Sequence, residues 1–294
     1  MPMEELETAL VATSKENNMN LKIVAYISRQ ELIVNVRNKW TLIYAGVFSL
    51  LVVNISYFGV RAEGFAGMQN FTRTSASILN LVLYIVPLVA LTMGTLSFTG
   101  DKGSTELLFS QPVSRAEVIF GKLFGLFFSI ALSTLVGFVL GGVVIVASSG
   151  VEGMSRYVMF VGLSLMLSLV FLSFSVVVAT LCKRKSKAFG LALFLWFFFV
   201  LFFDLLVIGG TLFLKGQSAT TFLFISLLGN PVDLVRVASL ITLDNVSIFG
   251  ASGAALVRFF GGTTLSFVFL LAGLAFWVGG PLLISHHLLR RQDI

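Results

Sequence analysis

Six long apolar stretches, each able to cross a membrane, constrain this sequence more than any other feature. A helix rises about 1.5 Å per residue, so about 20 apolar residues cross the ~30 Å hydrocarbon layer of a bilayer. A backbone in lipid must satisfy its own hydrogen bonds, which favours helices over buried strands. The stretches are residues 41–60, 78–99, 121–148, 157–181, 188–213 and 263–284. The sequence therefore predicts an all-α polytopic membrane protein with six transmembrane helices.

The composition supports a membrane protein and narrows its chemistry. Hydrophobic residues make up 57% of the 294, and charged residues make up 12%, whereas about a quarter of a soluble domain is charged. Residues 1–40 carry charges throughout, so we expect no signal peptide. The lone cysteine, Cys182, excludes a disulfide framework or a thiolate metal cluster within one chain.

Lysine and arginine are divided unequally between the two sides of the predicted membrane domain. With both termini on one side, the regions on that side, which we call the basic face, carry 14 of the 20 basic residues, and the opposite face carries 6. The positive-inside rule then places both termini in the cytoplasm and the chain in the cytoplasmic (inner) membrane. The basic residues follow the predicted membrane topology, and no nucleic-acid-binding motif accompanies them. We therefore expect membrane lipids, not nucleic acid, as partners.

The N-terminal region divides into two parts. Residues 1–18 are polar and acidic, and we expect a flexible extension. Residues 19–40 have weak helical amphipathicity and end in Trp40, an aromatic typical of the membrane interface. The pattern supports equally a cytoplasmic interfacial helix and a plain extension of the first span.

The loop between spans two and three is the most structured polar segment, over residues 103–116. Its sequence predicts a short helix that ends at Pro112. Ser114 and Glu117 then form a capping-box pattern that starts the helix leading into span three. The exposed apolar residues of the short helix suit either a docking element for a partner or a tight connector resting on lipid.

The loop after span five, residues 214–262, is long and apolar. Residues 221–228 are too few to span and suit a re-entrant or interfacial helix. Asn230 and Pro231 form a strong helix start, with Asp233 near the positive dipole end. Asp233 and Arg236 can pair at i, i+3. A second helix is predicted over residues 251–260, and the loop suits an outer partner site, a gate or a structural lid.

Two features within the spans carry open alternatives. Asp204 is a charge that is costly inside a membrane helix. It fits a substrate or cation contact, or a pair with Arg258 or Arg236, but we favour a carboxylate that meets water near the interface. Gly137 and Gly141 of span three allow two helix backbones to approach closely, and we favour packing within one chain over a dimer seam.

The sequence contains no group of residues that is typical of a catalytic site. His286 and His287 are adjacent without a cysteine or clustered carboxylates, so we expect no zinc site. A Walker A sequence is missing, because Gly121-Lys122 is followed by leucine. We therefore predict no catalytic, cofactor-binding or metal-binding residues and no enzyme activity in this chain alone.

The order of these parts resembles the permease subunits of type-2 ABC exporters. The matching segments are Ile27 to Trp40, the loop Gly103-Ser-Thr-Glu-Leu-Leu-Phe-Ser-Gln-Pro-Val-Ser-Arg115, Gly121-Lys122, and Asn230-Pro231-x-Asp233-x-x-Arg236. The likeness extends from Met19 over nearly the whole chain and favours the interfacial helix at its start. The outer-loop pattern resembles the NosY-like branch, whose better known members serve the maturation of nitrous oxide reductase.

The resemblance implies a dimer of permeases on separate ATP-binding subunits, which would hold ATP and magnesium. The implied coupling helix docks on the ATPase, and an extracytoplasmic protein engages the outer face. Two alternatives remain: a mechanotransmission or sensor protein that moves no solute, and an exporter of lipid or drug-like substrates. The docking residues carried over are Ser104, Thr105, Glu106, Leu107, Leu108, Phe109, Gln111, Pro112, Ser114 and Arg115.

Overall fold

The structure is a computed structural model that describes residues 20–61, 68–100, 114–151, 153–182, 184–214, 216–243, 256 and 261–290. These residues form helices and no strands, which confirms the predicted all-α class. The bounds are α1 Leu21–Val36, α2 Lys39–Arg61, α3 Met68–Gly100, α4 Arg115–Ser149, α5 Met154–Leu181, α6 Lys185–Phe197, a π-helical turn Phe198–Phe202, α7 Phe203–Phe213, α8 Gln217–Gly229, α9 Pro231–Thr242 and α10 Thr263–Arg290.

Six of these helices are long and apolar enough to cross a membrane, as predicted. They are α2, α3, α4, α5, the continuous run of α6, the π-helical turn and α7, and α10. Two of them, α3 and α4, begin six or more residues before the predicted apolar stretch. Helix α3 starts at Met68 because its polar first turns stay helical outside the apolar stretch, and α4 starts at Arg115 because Ser114 caps it.

Helix α5 forms the centre of the bundle. Its most apolar 18-residue window is 67% buried inside the protein, against 17% for the span of α6 and α7 and 17% for α10. Phe160, Leu167 and Phe171 of α5 are fully buried. Helices α3, α4, α6, α9 and α10 pack against α5, whereas α2 packs on α3 and α4. The spans present their remaining apolar side chains outward, where a membrane protein meets lipid or another chain.

The glycines of α4 bring it close to α2. A Cβ atom added at Gly137 would lie 2.6 Å from the Phe48 ring, and one at Gly141 would lie 2.5 Å from Cγ1 of Val52. The absence of side chains at these two positions therefore lets the helices touch. This finding confirms the prediction that Gly137 and Gly141 pack within one chain.

Helix α1 is a separate element that lies along the first half of α4. It ends at Val36 and is divided from α2 by Arg37 and Asn38, so it does not simply continue the first span. Added Cβ atoms at Gly121 and Gly125 of α4 would lie 2.7 Å and 2.5 Å from side chains of α1. The placement of α1 in a membrane interface stays a prediction.

Candidate functional sites

The α8–α9 hairpin returns into the bundle beside the fifth span. Gly210 of α7 lies against Phe222 of α8, and Phe203 lies against Gly229, so the two helices are antiparallel. Helices α8 and α9 are bent by 103° at Asn230. The Trp277 Nε1–H donates to the Leu228 carbonyl at 2.9 Å, which fixes the bend against α10. The bent pair has the shape of a broken span or a re-entrant loop, and the placement of residues 221–228 in a re-entrant or interfacial helix stays a prediction.

Asn230 ties this bend to the middle of the fifth span. Its side chain is fully buried, and its Oδ1 accepts from the Val232 N–H at 3.0 Å, which caps α9. Its Nδ2 donates to the Phe199 carbonyl at 2.9 Å and to Asp233 Oδ2 at 3.1 Å. Phe199 lies about 21 Å from either end of the 29-residue span, so the contact is at half depth.

The Phe199 carbonyl lies in the π-helical turn, which the sequence analysis did not predict. In this turn the Phe203 N–H bonds to the Phe198 carbonyl, one residue further back than in an α-helix. Such turns disturb the regular backbone pairing and are frequent at functional sites. The run of phenylalanines around Phe199 gives no periodic signal that distinguishes a π-helical turn from an α-helix.

An ion-pair chain continues from Asn230 toward the opposite face. Arg236 Nη1 donates to Asp233 Oδ1 at 2.6 Å, and its Nη2 donates to Asp204 Oδ2 at 3.1 Å. The first contact is the predicted i, i+3 pair. The second is the inter-helix pair that we weighed against a carboxylate in water, and Arg258 lies outside the described residues.

This Asn230–Asp204 network has a net charge of −1 when both carboxylates and the guanidinium are ionised. The Asp204 and Arg236 side chains are 33% and 30% exposed, whereas Asp233 is 15% exposed. The exposed edge of the network therefore belongs to Asp204 and Arg236. Chemically, the network can hold the hairpin to the fifth span and offer a partly exposed carboxylate to a cation or a polar cargo.

A second polar cluster joins the start of α4 to the start of α1. Glu117 Oε1 accepts from the Asn20 N–H at 2.6 Å, and its Oε2 accepts from the Ser114 N–H at 2.9 Å. The Ser114 hydroxyl accepts from the Glu117 N–H, which completes the predicted capping box. Both carboxylate oxygens of the buried Glu117 are therefore engaged.

Glu31 makes the corresponding link to the end of α3. The Ser97 hydroxyl donates to Glu31 Oε1 at 2.7 Å, and Asn35 Nδ2 donates to the same oxygen at 3.0 Å. Helix α1 is thus bonded to both helices that flank the loop between spans two and three. Sequence reasoning missed Glu31 and Asn20, although an asparagine before a helical stretch is a capping signal.

The predicted docking residues fall mainly beyond these anchors. Residues 104–113 lie outside the described residues. Ser114 is the N-cap of α4, and Arg115 is its first residue. The hairpin residues Asn230, Pro231, Asp233 and Arg236 lie together with Asp204, as described above. No group of three metal-ligating side chains occurs within the described segments of the chain.

Comparison with known proteins decides the family. The family described as ABC-2 family transporter protein matches residues 25–294. This chain belongs to the ABC-2 transporter family. A probable ABC transporter permease protein NosY of Pseudomonas aeruginosa is 35% identical over 281 residues, which cover 93% of this chain and 100% of that protein. A protein of the same name from Stutzerimonas stutzeri is 34% identical over 277 residues, which cover 90% and 97%.

The ABC-2 permease is therefore similar to NosY-type permeases over nearly its whole length. The match includes α1, the six spans and the α8–α9 hairpin. It makes the chain a multi-pass membrane protein whose relatives are transporter permeases.

Proposed function

We propose that this ABC-2 permease forms a dimer in the cytoplasmic membrane and works with a separate ATP-binding subunit. The family match supports an ATPase partner. The excess of basic residues supports cytoplasmic placement of both termini and of the loop between α3 and α4. Nucleotide and magnesium then belong to the partner.

The observation that carries this proposal is the pair of carboxylate anchors on either side of the loop between α3 and α4. Glu31 bonds to Ser97 near the end of α3, and Glu117 bonds to Ser114 and Asn20 at the start of α4. A force applied to residues 103–116 by an ATPase therefore reaches α1, α3 and α4 together. Residues 104–115 are proposed as the docking segment, with Glu106 and Arg115 at its polar ends.

The α8–α9 hairpin is proposed as the outer gate or outer partner site. Its bend reaches half depth and its polar network connects it to the fifth span. Broken helices at this depth occur where transporters line a pathway. Asp204 and Arg236 provide the exposed polar edge of that gate.

A role in nitrous oxide reductase maturation is proposed from the NosY-type relatives. An extracytoplasmic protein of that pathway is then expected on the face that bears the hairpin. The methionines and the single cysteine are not clustered in the sequence, so the relatives alone support this assignment.

The test is ATP turnover by the permease reconstituted with its ATP-binding subunit. Reversing Glu106 and Arg115 together (Glu106→Lys with Arg115→Glu) should abolish stimulation of the ATPase by the permease while the spans stay folded. Arg184→Glu, on the other basic-face loop, is the matched control and should keep stimulation. Unchanged turnover and unchanged co-purification of the double variant would refute the docking assignment. ATP-dependent solute accumulation in vesicles then separates transport from force transmission alone.

A further inference from the structure

A groove of about 470 Å³ runs along the seam between α1 and α4, apart from both polar clusters. Its walls are six residues of α1 and two phenylalanines of α4, and it is mainly apolar. The α1 residues repeat at helical spacing along one face. The lining is Leu21, Val24, Ala25, Ser28, Arg29, Leu32, Phe124 and Phe128.

The groove continues into a lipid-facing strip of α4. Phe124, Phe128, Leu132, Leu135 and Val139 follow one another at helical spacing and are each at least 36% exposed. Phe124 and Val139 are 15 residues apart, which is about 22 Å along the helix. This length exceeds half of the ~30 Å hydrocarbon layer, so the strip is long enough for an acyl chain of one leaflet. An acyl chain that follows the strip ends with its headgroup at the groove.

The charge at the groove favours an anionic headgroup. Arg29 is the one charged residue of the lining, and its side chain is exposed. Within the described part of the chain no carboxylate forms an ion pair with it. Glu31, the nearest acid along α1, is bonded to Ser97 and Asn35. Basic side chains at this level attract the phosphate of anionic lipids.

We propose that the α1–α4 groove is a binding site for an anionic phospholipid of the basic-face leaflet. One acyl chain lies on Phe124 and Phe128 and continues down α4. The phosphate is held by Arg29. The proposal is independent of the cargo and of the ATPase partner, because it concerns only this chain and lipid.

The test is native mass spectrometry of the purified full-length permease with added phosphatidylglycerol or phosphatidylcholine. Arg29→Gln should lower the ratio of phosphatidylglycerol to phosphatidylcholine affinity about fivefold, the effect of one interfacial charge. Arg37→Gln removes the same charge from the end of the same helix, outside the groove. It should change the ratio less than twofold.

A second variant tests the apolar part of the site. Ala25→Phe adds a ring to the groove wall and should weaken binding of both lipids, because the acyl chain loses its place. Ile33→Phe adds bulk to an exposed position outside the lining and should leave binding unchanged. Equal effects of Arg29→Gln and Arg37→Gln, or unchanged lipid binding by Ala25→Phe, would overturn the proposal.

Discussion

Removing the Arg236 guanidinium should destabilise the hairpin more than removing either carboxylate. The Arg236→Gln variant loses both ion pairs and leaves Asp233, 15% exposed, without its cation. Breaking a fully buried pair in this way costs about 3–5 kcal/mol, whereas an exposed pair contributes about 0.2–1 kcal/mol. With Arg236 itself 30% exposed, we expect a loss of about 2–3 kcal/mol.

The Asp204–Arg236 contact alone is expected to contribute less. Its Nη2–Oδ2 distance is 3.1 Å, and both side chains are about one-third exposed. Interactions between helices in membranes average about 0.6 kcal/mol and reach about 1.7 kcal/mol in double-mutant cycles. We therefore expect Asp204→Asn to cost about 1 kcal/mol and its coupling to Arg236→Gln to be about 1 kcal/mol.

Unfolding of the purified protein in mixed detergent micelles measures these energies. The cycle uses the wild type, Asp204→Asn, Arg236→Gln and the double variant. A control cycle pairs Asp204→Asn with Arg184→Gln, about 30 Å away along the same span, and should be additive within about 0.3 kcal/mol. Additive costs at Asp204 and Arg236, as in the control cycle, would refute the inter-helix pair.

Substitutions at Asn230, Gly141 and Glu117 test other contacts. Asn230→Ala should lower unfolding free energy by about 2–4 kcal/mol, since it removes a helix cap and the donor to the Phe199 carbonyl. Asn230→Asp keeps the cap but should cost more, because it places a buried carboxylate oxygen against the Phe199 carbonyl and the Asp233 carboxylate. Gly141→Ala should lower the unfolding free energy by about 1–3 kcal/mol, and with it the Tm, because the added methyl group overpacks against Val52. Gly162→Ala is the control and should leave the Tm unchanged, because there is open space around Gly162. Glu117→Gln offers one acceptor oxygen in place of two, so amide hydrogen exchange near residues 20 and 114 should accelerate while that near 154 stays unchanged.

Local motifs, such as helix caps and i, i+3 pairs, were the features that the sequence predicted best. The capping box at Ser114, the asparagine cap before Pro231 and the Asp233–Arg236 pair each depend on neighbours within three residues, and all are present. The six spans could be predicted equally well, because their length and apolarity depend on the bilayer and not on packing. Only the ends of the spans differ from the prediction. The largest difference is ten residues, at Met68, where polar turns extend the helix.

Contacts between distant segments could not be predicted from local patterns. Asn20 and Glu117 are 97 residues apart, and nothing in either neighbourhood indicates that they meet. The choice of Arg236 as the partner of Asp204 depends on the 103° bend that turns α9 toward the fifth span. The π-helical turn was not predicted either. The Phe199 carbonyl in this turn accepts a hydrogen bond from Asn230, which lies 31 residues further along the chain.

The buried hydrogen bonds of the hairpin limit how the permease can change shape. If the bend moved away from the fifth span, the Phe199 carbonyl and the Asn230 amide would be unpaired at half depth, at a cost of several kcal/mol each. The Trp277 bond to Leu228 attaches the same bend to α10. We therefore expect the fifth span, the hairpin and α10 to move as one body. Helices α1, α3 and α4, joined through Glu31 and Glu117, form a second body on the basic face. A relative movement of the two bodies would slide the apolar contacts along α5, and it would also break the hydrogen bond from the Trp196 Nε1–H of the fifth span to the Tyr84 carbonyl of α3.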